Sequence, residues 1–369
     1  MGRPFIASAM LVILAAIGGA CTSETATTPT SPVFAAGESV DFVFESSGLQ
    51  LSGIVDVPEN GDAKALIIIV HSYGETDIRR WQTYADERRR FNAMGIATAV
   101  WDKPGQGQSE GVFDIDQSVY ESAQEVLDAA AYLKRINAPG SNKIGLWGGS
   151  RAGWIAPIAL SRDSDFAFWV SISGTTAEDN FSYLLLSNLP HEGYPLAEVE
   201  TIADEWRAGC QLYRNAASFT AYQDATRTLR ANDYILRMRG EWPTRLEYTL
   251  SQRRCKRGDC PRVDPDRCDY VWIEDFAGML STLSIDVLAI FGEKDLNVDW
   301  RKTKRLYEET LDDNPNASLT VRTFAGSDHA LNVTESGSLA EMKQQSTRTK
   351  VDGYRDTQVQ WLTEVVLAE

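Results

Sequence analysis

The sequence predicts an α/β fold: a doubly wound, mostly parallel sheet interrupted by a helical cap insertion. Short apolar runs alternate with helical patterns over residues 65–172 and again over 286–366, the rhythm of βαβ units. Several runs, such as Ala65-Leu-Ile-Ile-Ile-Val70, are apolar at every position, as expected of strands covered on both faces. Between the two stretches, residues 174–283 lose the strand pattern and read as helix, rich in arginine and aromatic residues.

The first residues read as an address. Arg3 precedes an apolar run from Phe5 to Ile17, too short for a comfortable membrane span. Gly18, Gly19 and Ala20 then lead to Cys21. This resembles a bacterial lipoprotein signal, with residues 1–20 removed and Cys21 lipidated; an ordinary cleaved signal is the alternative. Residues 21–37, rich in Thr, Ser and Pro, read as a flexible tether. The expected location is outside the cytoplasm, on a membrane facing the periplasm or the cell surface.

The core is expected in two parts, residues 38–173 and 284–369. Ser39 to Phe44 and Leu49 to Val57 read as strands joined at the hairpin signal Ser46-Ser-Gly48. Ala65 to Val70 is a buried strand ending at His71-Ser-Tyr-Gly74. A helix is expected from Arg80 to Met94, stopped by Gly95. Ile96 to Trp101 is the next strand, followed by Asp102-Lys-Pro-Gly-Gln-Gly-Gln-Ser109 and a helix over Val119 to Ile136. Ile144 to Trp147 and Phe166 to Ile172 are strands around a helical pattern from Ser150 to Leu160. After the insertion come a strand at Asp286 to Phe291, a helix at Arg301 to Leu311, a strand at Ser318 to Phe324, and a last helix near Thr349 to Val366.

A net charge of -16 argues against a nucleic-acid partner, because phosphates would be repelled. Cys21 aside, the cysteines are Cys210, Cys255, Cys260 and Cys268. In an oxidising compartment this even set reads as two disulfides, with three pairings open; a zinc site is the runner-up on spacing that fits it poorly.

The densest chemical signal is Gly148-Gly149-Ser150-Arg151-Ala152, with Gly153 one place later. Glycines before a serine permit a very tight strand-to-helix turn. Such a turn exposes the serine hydroxyl and aims the first N–H groups of the helix at whatever it attacks. A serine hydroxyl needs a base, and the base an orienting carboxylate. Of the three histidines, His71 follows an early strand and reads as structural, and His191 lies in the insertion. His329 lies in a loop after the last strand, on the edge where the strands of an open parallel sheet end and ligands bind. Asp295 ends a strand on that same edge; it competes with a helix N-cap role, which leaves Asp299 and Asp328 as alternative acids.

These residues resemble the serine α/β-hydrolase superfamily over nearly all of the mature length, with the insertion matching least. Within it the chain is similar to exported bacterial esterase-like and prolyl-oligopeptidase-related hydrolases. Val70-His71-Ser72-Tyr73-Gly74 stands where the family has its His-Gly oxyanion loop. Asp102-Lys-Pro-Gly105-Gln-Gly107-Gln-Ser109 matches its D-x-x-G-x-G-x-S loop, and Phe291-Gly-Glu-Lys-Asp295-Leu-Asn-Val298 the strand and loop that carry the acid. The resemblance implies acyl transfer, with Ser150 as nucleophile, His329 as base and then acid, and Asp295 as its orienter. It implies an oxyanion hole from the backbone N–H groups of Arg151 and Tyr73. The sequence carries no metal, flavin, nicotinamide or phosphate-binding signature, so no cofactor is expected. The expected substrate is a small-molecule carboxylic ester. An exported peptidase or amidase, and a non-catalytic binding module on the same scaffold, are the alternatives. The insertion is expected to form a cap, with Tyr183, Trp206, Tyr213, Tyr222, Tyr234 and Trp242 lining a pocket or packing the cap's own core. The basic run around Arg253, Arg254, Lys256 and Arg257 reads first as a solvated charged loop.

Overall fold

In the computed structural model, the described residues are 32–115, 117–177, 181–256, 273–312 and 314–368. β1 (Ser39–Ser46) and β2 (Leu49–Asp56) form an antiparallel hairpin. Its turn has Ser47 at φ 50° and Gly48 at φ 80°, the left-handed pair whose twist matches the flanking strands. The remaining strands are β3 (Ala65–Val70), β4 (Ile96–Trp101), β5 (Ile144–Gly149), β6 (Phe166–Ile172), β7 (Asp286–Gly292) and β8 (Ser318–Phe324). Together they make one eight-stranded sheet in the order β1-β2-β4-β3-β5-β6-β7-β8. β2 meets β4 antiparallel, and every pairing from β4 to β8 is parallel.

The continuous apolar runs are explained by two cores, one on each face. In β3, Leu66, Ile68 and Val70 join the core built with the helices Val119–Arg135, Ala152–Leu160 and Trp300–Tyr307. Ala65, Ile67 and Ile69 join the opposite core with Phe91 of the helix Ala85–Ala93 and with Tyr354 and Trp361 of the helix Tyr354–Trp361. Each large aliphatic side chain buried this way contributes about 2 kcal/mol of transfer free energy, so a polar residue on either face of β3 would be costly.

Two helix starts and one short helix depart from the sequence expectation. The helix expected from Arg80 starts at Ala85, because Gln82 and Tyr84 adopt φ 52° and 58°, which a helix cannot continue through. The last helix starts at Tyr354 and not near Thr349. Residues before it extend instead: Val333 N–H donates to Thr349 O, and Asn332 bridges Lys350. A short helix, Leu339–Gln344, has no counterpart in the sequence reading.

The described part of the segment between β6 and β7 is helical, and six of its residues (Leu185, Leu189, Ile202, Leu229, Tyr234, Ile235) form a small separate core. Ile273, Phe276, Leu280 and Leu283 belong to the sheet's own core, so the helix Phe276–Ser281 is part of the core layer although it lies inside the expected 174–283 insertion. Among the described residues no helix is long and apolar enough to cross a membrane.

Candidate active site

β5 turns into the helix Ala152–Leu160 through Ser150, which sits at φ 55°. A non-glycine residue held there costs of order 1–3 kcal/mol, and the surroundings enforce it. Ser150 N–H donates to Ile172 O at 2.9 Å, and Gly153 N–H donates to Ser150 O at 2.7 Å. The flanking glycines are sterically required. A Cβ on Gly148 would lie 2.5 Å from the Ala152 Cβ and 2.8 Å from Val70 O; one on Gly153 would lie 2.6 Å from Thr175 N. Ala152 is thus accommodated because Gly148 carries no side chain.

His329 and Asp295 meet on the same strand-end edge. His329 Nδ1 is 2.7 Å from Asp295 Oδ2, and the carboxylate is fully buried. The other carboxylate oxygen accepts N–H bonds from Asn297 (2.8 Å) and Val298 (2.9 Å), so the loop holds Asp295 in place. Burial works against charge on the His329 imidazole, but Asp295, by charge and hydrogen bond, and Asp328 outweigh it and hold its pKa above the ordinary value. The alternative acids have other work. Asp299 caps the helix Trp300–Tyr307, accepting Lys302 N–H. Asp328 accepts Ala330 N–H at 2.9 Å and Asn332 N–H at 3.0 Å and pairs with Arg348, which shapes the loop that carries His329.

Two contributors were not foreseen. Ser173, at φ 48° after β6, donates its hydroxyl to His329 O at 2.7 Å while its N–H holds Ile290 O. A serine just past a strand end is the only sequence signal for this. Ser72, where the family motif has glycine, donates its hydroxyl to Gly149 O at 2.9 Å, and its N–H donates to Tyr84 Oη at 3.1 Å. The departure from glycine therefore ties the Ser72-Tyr73-Gly74 loop to the turn that carries Ser150. Tyr73 has an exposed side chain, while Arg151 is buried and donates through its guanidinium to Gln117 O and Ser122 Oγ.

The Asp102 to Ser109 motif is a brace. Buried Asp102 accepts Ile78 N–H at 2.7 Å, Gln108 N–H at 3.0 Å and the Arg79 guanidinium at 2.9 Å. A Cβ on Gly107 would lie 2.3 Å from that carboxylate, and one on Gly105 2.2 Å from Phe113 N. His71 is buried against the Trp101 ring, and burial, then Lys103 and Arg151, hold its pKa well below the ordinary value; it stays neutral. His191 is exposed on the turn Leu189–Glu192.

Of the insertion aromatics, Tyr183 reaches the acid loop, its hydroxyl 3.5 Å from Asp295 O. Ser187 on the same helix, Phe181–Asn188, donates to Leu296 O at 2.8 Å. Tyr234, Trp206 and Trp242 pack the insertion's small core, and Tyr213 and Tyr222 pack on Tyr248. Cys210 is half-buried on the helix Leu196–Arg214. Cys21, Cys260, Cys268 and Arg257, and the side chains of Arg254, Cys255 and Lys256, lie outside the described residues.

Comparison with known proteins agrees with this architecture. The quorum-quenching protein AidA of Acinetobacter baumannii is 26% identical over 149 residues, 40% of this chain and 47% of that protein. The chain spans about a third to a half of the curated relatives it matches. The esterase Pf2001 of Pyrococcus furiosus superposes with a TM-score of 0.51 at 12% identity, over 89% of this chain and 91% of that one. Proline iminopeptidase of Mycobacterium smegmatis gives 0.50 at 14% identity, over 89% and 99%. These two likenesses show the fold. The X-Pro dipeptidyl-peptidase (S15) family matches residues 47–323, from the turn of the first hairpin into β8, so the chain belongs to that family and has the α/β-hydrolase fold.

Proposed function

We propose that the protein is a serine hydrolase that cleaves carboxylic esters through an acyl-enzyme on Ser150. The observation that carries the reading is the buried Asp295–His329 pair at 2.7 Å on the strand-end edge where the strained Ser150 turn lies. In the proposed cycle Ser150 Oγ attacks the carbonyl carbon as His329 takes its proton. The backbone N–H groups of Arg151 and Tyr73 receive the developing oxyanion, each donor worth about 3 kcal/mol of barrier. His329 then protonates the leaving alkoxide, and water, deprotonated by His329, releases the acid and regenerates Ser150. The inserted helices, seated on the acid loop through Phe181–Asn188, are proposed to cap the crevice.

A second reading is favoured by the S15 match itself: cleavage of a peptide or amide bond, as in X-Pro dipeptidyl-peptidases. Both use the same residues and differ in the leaving group. A panel of p-nitrophenyl esters of increasing chain length, run beside X-Pro-p-nitroanilides, separates them. Ester turnover with kcat/KM at least about tenfold above any anilide supports the ester reading; the reverse order transfers the chain to the peptidase reading. Lipidation of Cys21 after export, and two disulfides among Cys210, Cys255, Cys260 and Cys268, are part of the same proposal. Mass spectrometry of the mature protein without reductant tests both; an unmodified residue 21 or four free thiols would refute the corresponding part.

A further inference from the structure

We propose that Lys103 is a positioning residue of the oxyanion site, and that its ammonium fixes the direction in which Tyr73 N–H points. This rests on the serine-hydrolase reading above. Lys103 follows β4 and is buried, 6% exposed. Its Nζ donates to Ser72 O at 2.7 Å and to Gly74 O at 2.5 Å. These carbonyls bracket Tyr73. No peptide bond in the described residues is cis, and in a trans peptide the C=O and the next N–H point in opposite directions. Drawing Ser72 O inward to Lys103 therefore turns Tyr73 N–H away from the interior. Ser72 Oγ, bound to Gly149 O, holds that same peptide beside the Ser150 turn. Gly74, at φ 92°, supplies the reversal that lets both carbonyls reach one ammonium.

The groups around Lys103 keep it a poised cation. Burial and then Arg151 push its pKa down to about 8, with Glu125 opposing them. His71 is neutral, and Glu125 accepts N–H bonds from Trp101 and Gln117. Loss of the ammonium charge converts two charge-assisted bonds to weaker neutral ones, so the loop loosens as pH rises through that value.

The experiment compares wild type with Lys103→Met and Lys103→Arg in p-nitrophenyl acetate hydrolysis from pH 6 to 10, with thermal melts of each protein. Lys103→Met is expected to lower kcat about 10²-fold, the effect of one oxyanion donor, with KM little changed and no alkaline limb. Lys103→Arg, whose guanidinium stays charged, is expected to hold its kcat above pH 8, where wild type declines severalfold. A folded Lys103→Met protein with wild-type kcat overturns the proposal. If Lys103→Met does not fold, Lys103→Arg decides: an alkaline limb superimposed on the wild-type one overturns it. Failure of the hydrolase reading looks different, since wild type itself would then neither hydrolyse the ester nor accept a fluorophosphonate.

Discussion

Replacing Asp295 by asparagine tests the chemistry of the acid with almost no change of shape. Asp295 Oδ1 accepts two backbone N–H groups, and Oδ2 faces His329 Nδ1. The asparagine amide has one oxygen. Placed on Asn297 and Val298 N–H, it leaves the NH₂ against His329 Nδ1. The opposite orientation aims the NH₂ at two N–H donors and forfeits both bonds, about 1–3 kcal/mol for each buried donor left unmade. The first orientation wins. It forces Nδ1 to accept, so the proton sits on Nε2 and the imidazole cannot take a proton from Ser150. An equivalent change in a well-studied serine protease costs about 10⁴ in kcat, or roughly 5.5 kcal/mol of barrier, and a loss of that order is expected here. The assay is kcat/KM on p-nitrophenyl acetate with a parallel thermal melt. A melting temperature near wild type with activity within tenfold of wild type would refute the tautomer argument and Asp295 as the acid.

The pH profile carries an independent expectation. Only neutral His329 can act as base, and its pKa lies above the ordinary 6.5, so the acid limb of kcat/KM should have its midpoint above pH 6.5; a midpoint below 6 contradicts the assigned base. By linkage the same shift favours the folded state below pH 6.5, and that contribution is lost as pH rises through the folded-state value. Gly148→Ala would place a Cβ 2.5 Å from Ala152 Cβ and 2.8 Å from Val70 O; a loss of about 1–3 kcal/mol of stability is expected by chemical denaturation, and an unchanged midpoint would show that the turn yields. Ser72→Ala removes the part-buried bond to Gly149 O; about 1 kcal/mol of stability and a severalfold fall in kcat at constant KM are expected, and unaltered steady-state kinetics would mean that the tie does not position the loop.

The sheet was legible because its strands are continuous apolar runs: β3, β4, β6 and β8 begin and end where the sequence places them. The placing of Ser150, Asp295 and His329 at strand ends was legible for the same reason, since a parallel sheet brings those ends to one edge. What failed to read from sequence depends on tertiary partners. Nothing local tells that Tyr84 leaves helical geometry, its hydroxyl taken by Ser72 N–H, or that residues 349–351 extend to pair with 331–333. Phe276 and Leu280 have the same helical pattern as the insertion, and only packing assigns them to the sheet's core. Lys103 sits at a variable position of a loop motif, and its reach to Ser72 and Gly74 crosses about thirty residues of sequence. Nor does the sequence tell that the Ser72 hydroxyl ties its loop to Gly149 O.

The central claim is that Ser150 is activated by His329. Covalent labelling by a fluorophosphonate probe tests it most directly, comparing the wild-type protein with Ser150→Ala and His329→Ala. The account predicts strong labelling of wild type, carried on Ser150 in the digested protein and lost in both variants. A folded wild-type protein that takes no label, or a His329→Ala protein that labels as fast as wild type, would contradict it.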